Sequence, residues 1–282
     1  MAKKKAERTT KQSFAIAKNE NKTIEERIQA LSELAVAACD QTSVAEGIIG
    51  VLTNVDEEFE VREEALRTLQ TASFSVVRFE ANRPAYIAAL RKIARGRDES
   101  LCEQALEILA AQHDGETQRS LIKGLKDPSK AKIVAERALQ LLAYDSHADA
   151  YEVARDILDD PPSKEARREA LRLLSADSTA AKIFSKLLRD KKESSEIRHI
   201  CASALHSLEP KSLYKYAKQI VLDDADSDDL RATCLSALTH FNEKLSDKDE
   251  ELIKRVKSLK EKASSKVKKR AKAFLDRFGD DE

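Results

Sequence analysis

The sequence predicts an all-α fold, a right-handed α–α superhelix of about eight helical hairpins, and three observations predict it. Helix breakers are scarce: Gly occurs 6 times and Pro 5 times in 282 residues, or about 4% where roughly 12% is usual. Charged residues make up 35% and apolar residues 41%, the balance expected of helices that bury one stripe and solvate the other. A motif of helical spacing returns every 31 to 40 residues, which is the length of one hairpin.

The motif centres on a small residue, which is followed four positions later by Leu in all eight copies. In six copies an aliphatic residue also lies four positions before it. These three positions share one helix face, so each copy predicts an amphipathic helix with the small residue at its closest packing point. The eight small residues, called anchors below, are Ala30, Ala65, Ala105, Ala138, Ala170, Cys201, Cys234 and Ala271.

Shorter apolar segments precede the motif helices and end in turn signals such as Asp127-Pro128 and Asp223-Asp224. The repeating unit is therefore a helix, a short acidic turn and the motif helix. We expect one repeat domain over residues 13–278, a disordered basic tail over residues 1–12 and an acidic tail over residues 279–282. Polar residues at the ends, Glu26 in the first copy and Lys272 in the last, are typical of capping repeats.

The motif resembles the second helix of a HEAT repeat. It follows an Asp-containing turn and consists of an apolar residue, a base, two variable positions, a small residue, an apolar residue and a later Leu. The resemblance covers about residues 24–278. It implies that the base forms a structural ladder with the turn Asp of a neighbouring unit, because a half-buried Arg needs a nearby carboxylate. The bases at this position are Arg27, Arg62, Arg167, Arg198, Arg231 and Lys268, whereas Cys102 and Ala135 depart from the pattern.

No catalytic residue, metal site or cofactor is predicted. The sequence has no HExxH, no P-loop and no glycine-rich nucleotide motif, and its carboxylates fall in turns and on exposed faces. Four cysteines lack metal-type spacing and are expected to be buried thiols. His199, His206 and His240 could converge across the stack, but structural or solvated histidines are the favoured interpretation.

Charge is segregated although the formal net charge is zero. Residues 40–64 hold eight acids against Arg62, and residues 252–272 hold ten bases against Glu261. The basic stretch is interpreted first as a solvated capping hairpin. Its alternatives are head-to-tail self-association and an anion-binding site for nucleic acid, acidic lipid or an acidic protein tail. The anion-binding candidates are Lys266, Lys268, Lys269 and Arg270, within a string that also resembles a nuclear-import signal.

The polar positions beside each anchor are expected to face the concave side of the superhelix. They supply the predicted partner-binding residues, which are Glu64, Arg67, Glu107, Arg137, Gln140, Arg168, Arg172 and His199. The leading hypothesis is a non-catalytic protein-binding scaffold or adaptor, with a protein as its partner. The alternatives are a nucleic-acid or other anion-binding protein and, by fold analogy, an enzyme like the HEAT-type DNA glycosylases or bilin lyases. No apolar run is long enough to span a membrane and no secretory signal is present, so a cytoplasmic or nuclear location is expected.

Overall fold

A computed structural model of the chain describes residues 8–145, 148–241 and 249–279, and all regular structure in these ranges is helical. This confirms the all-α prediction. The chain divides into two compact units, Met1–Val134 and Ala135–Glu282. The division falls between the two helices that the sequence assigns to the fourth hairpin. The prediction of a single domain over residues 13–278 stays a prediction.

The first unit begins with α1, whose first residue, Thr10, follows the N-cap Thr9. Three residues of the predicted disordered tail are therefore helical, and residues 1–7 lie outside the described part. Helices α4 and α5 form one hairpin, α6 and α7 form the next, and α2 packs against α5. The helices of this unit are α1 (Thr10–Ala17), α2 (Ile24–Ser32), α3 (Ala35–Asp40), α4 (Thr42–Thr53), α5 (Phe59–Ser73), α6 (Arg83–Ala94), α7 (Glu99–Ala111) and α8 (Gly115–Lys126).

The second unit contains four hairpins, in which α10 pairs with α11, α12 with α13, α14 with α15 and α16 with α17. Its motif helices pack in series, from α9 through α11, α13 and α15 to α17. The predicted acidic tail at residues 279–282 is described only at Gly279. The helices are α9 (Ala135–Leu142), α10 (Ala148–Asp159), α11 (Lys164–Leu174), α12 (Ala181–Arg189), α13 (Ser195–Leu208), α14 (Pro210–Leu222), α15 (Asp228–His240), α16 (Glu250–Lys262) and α17 (Ser265–Phe278).

The core of each unit lies where motif helices meet their neighbours. All eight anchors are buried, as close helix packing requires of a small residue. The Leu four positions after the anchor is at most 2% exposed in the first seven repeats, from Leu34 to Leu238. Leu275, its counterpart in α17, is partly exposed. The motif thus specifies the buried seam between helices.

The start of a motif helix is set by a cap seven residues before the anchor. Thr23, Asp98, Ser163, Ser194 and Ser227 stand at this position, and each side chain accepts a hydrogen bond from a backbone N–H in the first helical turn. Such caps satisfy donors that have no partner inside the helix. These capping residues therefore fix where five of the motif helices begin.

Candidate functional site

Four ladder arginines each pair with a carboxylate from the turn of the following repeat. Arg62 lies 3.5 Å from Asp98, and Arg167 makes two bonds of 2.9 and 2.5 Å to Glu193. Arg27 pairs with Glu57 and Arg198 pairs with Asp226. Two of the four carboxylates are Glu where the resemblance implies Asp.

Three of these guanidinium groups make a second bond inside their own repeat. The Nε atoms of Arg27, Arg62 and Arg198 donate to the carbonyl oxygens of Ala17, Leu52 and Leu188, at 3.0, 3.2 and 2.8 Å. These carbonyls lie at or near the end of the preceding helix, where the helix itself supplies no donor. Each of the three arginines therefore joins the end of one helix to the next repeat.

The remaining ladder positions differ. Arg231 bonds the carbonyl oxygen of Asp224 at 2.8 Å and a carboxylate of its own helix, Asp228, at 2.6 Å. Cys102 replaces the base in the third repeat, and its Sγ donates to the Ala94 carbonyl oxygen at 3.0 Å. Lys268 is exposed and has no ion pair within residues 8–145, 148–241 and 249–279. The ladder role expected for Lys268 stays a prediction.

A second ladder, which the sequence did not indicate, joins the first helices of successive hairpins. Arg91 of α6 bonds Asp114, Arg155 of α10 bonds Asp177, and Lys218 of α14 bonds Asp249. Each aspartate is the N-cap of the helical segment that follows it. Burial would raise the pKa of Asp114, but hydrogen bonds from Arg91 and Thr117 outweigh it and hold this pKa below its usual value.

The predicted partner-binding residues lie on the motif helices and are held in polar contacts. Arg168 pairs with Glu196 of the next repeat at 2.7 Å and Arg172 pairs with Glu169 at 2.5 Å. The His199 Nδ1 atom lies 2.9 Å from the Thr233 hydroxyl. Arg137 bonds Gln140 at 3.3 Å, and Glu107 also has a partner.

Glu64 differs from the expected exposure because it is buried, with Arg67 bonded to it at 2.8 Å. It precedes its anchor by one position, which is only about 100° away around the helix, and Glu169 at the same position is buried too. Burial raises the pKa of Glu64. Contact of this set with a partner stays a prediction.

Among the described residues, three exposed large apolar side chains lie together in a short loop after α5, here called the apolar segment (residues 74–77). Phe74, Val76 and Val77 are 75%, 63% and 88% exposed. Val36 of α3 is also exposed, and it lies one turn before Asp40, which bonds Arg78 at the end of the loop. In the sequence, this segment is recognisable only as a short apolar run that does not follow the helical spacing of apolar residues.

The C-terminal flank of the apolar segment is held by three contacts. Phe79 is fully buried and packs edge-on against Tyr86, with ring centroids 5.7 Å apart. Arg78 Nε lies 2.8 Å from the Asp40 carboxylate. The Asn82 side chain donates to the Ala38 carbonyl oxygen at 3.1 Å. The segment is therefore presented to solvent from an anchored base.

The anion-binding candidates lie on α17, where Lys266 bonds Asp229 of α15 at 2.7 Å. Lys269 and Arg270 are exposed like Lys268, and none of these three has an ion pair in the part of the chain that the structure describes. The predicted set is thus one paired lysine beside three unpaired bases.

The histidines converge only in part. His206 and His240 line a cleft of about 610 Å³ together with Leu208, Pro210 and Phe241, whereas His199 is bonded elsewhere. No group of three His, Cys, Asp or Glu side chains among the described residues is placed to hold a metal ion. In the same ranges, no helix combines the length and the apolar character needed to cross a membrane.

All four cysteines are buried and free. Burial raises the pKa of Cys201 and of Cys234 from 9.0 to about 12.

We expect both thiols to resist iodoacetamide in the folded protein at pH 9 and to react after unfolding in urea, as measured by mass spectrometry. Since the unfolded thiols ionise first, their contribution to the free energy of unfolding is complete below pH 9 and is lost as the pH rises towards 12. Cys201→Ala/Cys234→Ala, with the alanine that other repeats carry, should show a smaller alkaline loss, and an equal loss would contradict this origin.

No protein-family model and no curated protein matches the chain. Solved structures to which it is similar include the following three. The complex of CpcE and CpcF of phycocyanin lyase from Nostoc sp. gives 17% identity, coverage of 92% of this chain and 97% of that chain, and a TM-score of 0.41. Human deoxyhypusine hydroxylase in complex with glycerol gives 14% identity, coverage of 87% of this chain and 98% of that chain, and a TM-score of 0.38. A structure of the cadherin and beta-catenin interaction gives 14% identity, coverage of 94% of this chain and 63% of that chain, and a TM-score of 0.40. At these TM-scores the likenesses assign neither a family nor an activity.

Proposed function

We propose that the chain is a non-catalytic protein-binding scaffold that holds a partner against the surface of its helical repeats. The observation that carries the proposal is the apolar segment. Contiguous exposed apolar side chains are uncommon on monomeric proteins and mark interaction sites. Phe74, Val76 and Val77 are exposed together within four residues.

The anchoring of the segment favours tight binding. Full burial of a Phe or Val side chain contributes about 1.5–3 kcal/mol. Because Arg78, Phe79 and Asn82 already hold the C-terminal flank, a partner would have less backbone left to order, and ordering is a main cost of association. A prearranged apolar surface suits protein recognition.

The non-catalytic part of the proposal is supported by where the buried charges lie. Arg27, Arg62 and Arg198 belong to one ladder, and Asp114 and Asp177 belong to the other. The ionisable groups of a catalytic site usually line a cleft, whereas these join helix to helix. Four free buried thiols also favour a reducing, cytoplasm-like compartment.

We expect Phe74→Ser/Val77→Ser to lower the capture of the partner roughly tenfold or more, since loss of about 1.4 kcal/mol already gives tenfold. The measurement is quantitative affinity purification from native extract with mass spectrometry. The matched control is Val134→Ser/Tyr144→Ser, because these side chains are also apolar and exposed but lie elsewhere. A partner lost only with the first variant supports the proposal. A partner retained by both variants, or no protein enriched by the unmodified chain, would contradict it.

A further inference from the structure

Helix α17 presents a repeat surface that is incompletely covered. The Leu that follows each anchor by four positions is buried in the first seven repeats, where neighbouring helices pack over it. Leu275 holds the same position in α17 and is partly exposed. This leaves an apolar side chain available to another surface.

The surroundings of Leu275 are cationic. Lys268 holds the ladder position, at which five other repeats place an Arg bonded to a carboxylate, and it is exposed. Lys272 follows the anchor directly, a position that holds Leu in six repeats and Ala202 in another, and it is exposed too. A segment that covers this face must therefore bring carboxylates together with some apolar surface.

The unpaired charge extends over α16 and α17, whose residues 252–272 are called the basic hairpin. Of its ten bases, Arg255 pairs with Asp224 and Lys266 with Asp229. The other eight have no ion pair within residues 8–145, 148–241 and 249–279. The basic hairpin thus has a large unbalanced positive charge inside a chain whose net charge is zero.

The matching surface is the turn between α4 and α5 together with the first two residues of α5, residues 54–60, called the acidic turn. Asp56, Glu58 and Glu60 are exposed, and none of them has an ion pair in the described ranges. Val55 is 76% exposed and Phe59 is exposed beside them. Glu57 is already paired with Arg27. The acidic turn therefore carries carboxylates that can pair with the bases of the α17 face and apolar side chains that can cover Leu275.

We propose that the α17 face and the basic hairpin bind the acidic turn of a second copy of this chain. The two surfaces differ, so the contact is heterologous and can repeat from copy to copy. Since the net charge is zero, copies approach without overall repulsion. Attraction between exposed charges weakens as the Debye length falls from about 30 Å at 0.01 M to about 8 Å at 0.15 M salt.

The test is sedimentation velocity of the full chain over a range of concentrations and salt. The unmodified chain should gain mass with concentration at low salt and return to monomer as salt rises. Lys268→Glu/Lys269→Glu/Lys272→Glu and Asp56→Lys/Glu58→Lys/Glu60→Lys should each weaken self-association roughly tenfold or more, because like charges then face each other. A mixture of the two variants should associate again, since the unchanged acidic turn of the first variant can bind the unchanged basic hairpin of the second.

Circular dichroism checks that both variants fold. Lys92→Glu/Lys182→Glu/Lys186→Glu, at exposed lysines of α6 and α12, makes the same charge change elsewhere and should associate like the unmodified chain. A chain that stays monomeric at low salt would overturn the proposal, as would mixed variants that fail to associate. Nucleic acid that copurifies with the unmodified chain and is lost with the first variant, without self-association, would also overturn it.

Discussion

Replacing Asp226 with alanine is expected to lower the free energy of unfolding of the unit Ala135–Glu282 by about 3–5 kcal/mol, because it strands a buried charge. The side chains of Arg198 and Asp226 are only 9% and 3% exposed. Without the carboxylate, the Arg198 guanidinium keeps its bond to the Leu188 carbonyl oxygen but loses its counter-charge. Urea denaturation followed by circular dichroism measures the change.

Asp224→Ala is the matched control, because Asp224 lies in the same turn and pairs with Arg255 while its own side chain is 86% exposed. Exposed pairs contribute about 0–1 kcal/mol, so this variant should remain close to the unmodified chain. Arg198→Met/Asp226→Leu should recover much of the loss, since apolar residues of similar volume can replace a buried pair. Equal effects of Asp226→Ala and Asp224→Ala would show that burial does not govern the ladder.

Replacing Phe79 with alanine is expected to lower the free energy of unfolding of the unit Met1–Val134 by about 3–5 kcal/mol, the range for a buried Phe. Phe79 is fully buried against Tyr86 and closes the base of the apolar segment. Urea denaturation measures the loss, and amide hydrogen exchange should locate it in α5 and α6.

Phe74→Ala tests the opposite expectation five residues earlier. Phe74 is largely exposed, so its removal should change stability by no more than about 0.5 kcal/mol. Removal of the Phe74 side chain would then reduce partner binding without affecting folding. A large stability loss for Phe74→Ala would instead assign the apolar segment to the core.

The hairpin architecture could be predicted from the sequence because it depends on contacts that recur with a fixed period. Anchors such as Ala105 and leucines such as Leu205 are buried in every repeat that has a neighbour on both sides. The arginine ladder could be anticipated from the resemblance, including turn aspartates such as Asp98 and Asp226, but not every carboxylate could. Arg27 uses Glu57, and Arg231 turns back to Asp228 of its own helix.

Other features could not be predicted for physical reasons. The second ladder joins Arg91 to Asp114, and such pairs depend on how first helices align, which no single helix pattern specifies. An apolar run such as residues 74–77 has no period that separates a buried loop from an exposed one. The burial of Glu64 could not be predicted because a side chain one position before the anchor lies at the border of the buried helix face.

The ladder also has a consequence for how the chain is made. In four repeats the carboxylate lies about one repeat after its arginine, as in the 28 positions between Arg198 and Asp226. A nascent chain that leaves the ribosome can therefore complete the contacts of one hairpin as soon as the next turn has emerged, without waiting for distant segments. Folding in the order of synthesis suits chains whose contacts are local in sequence.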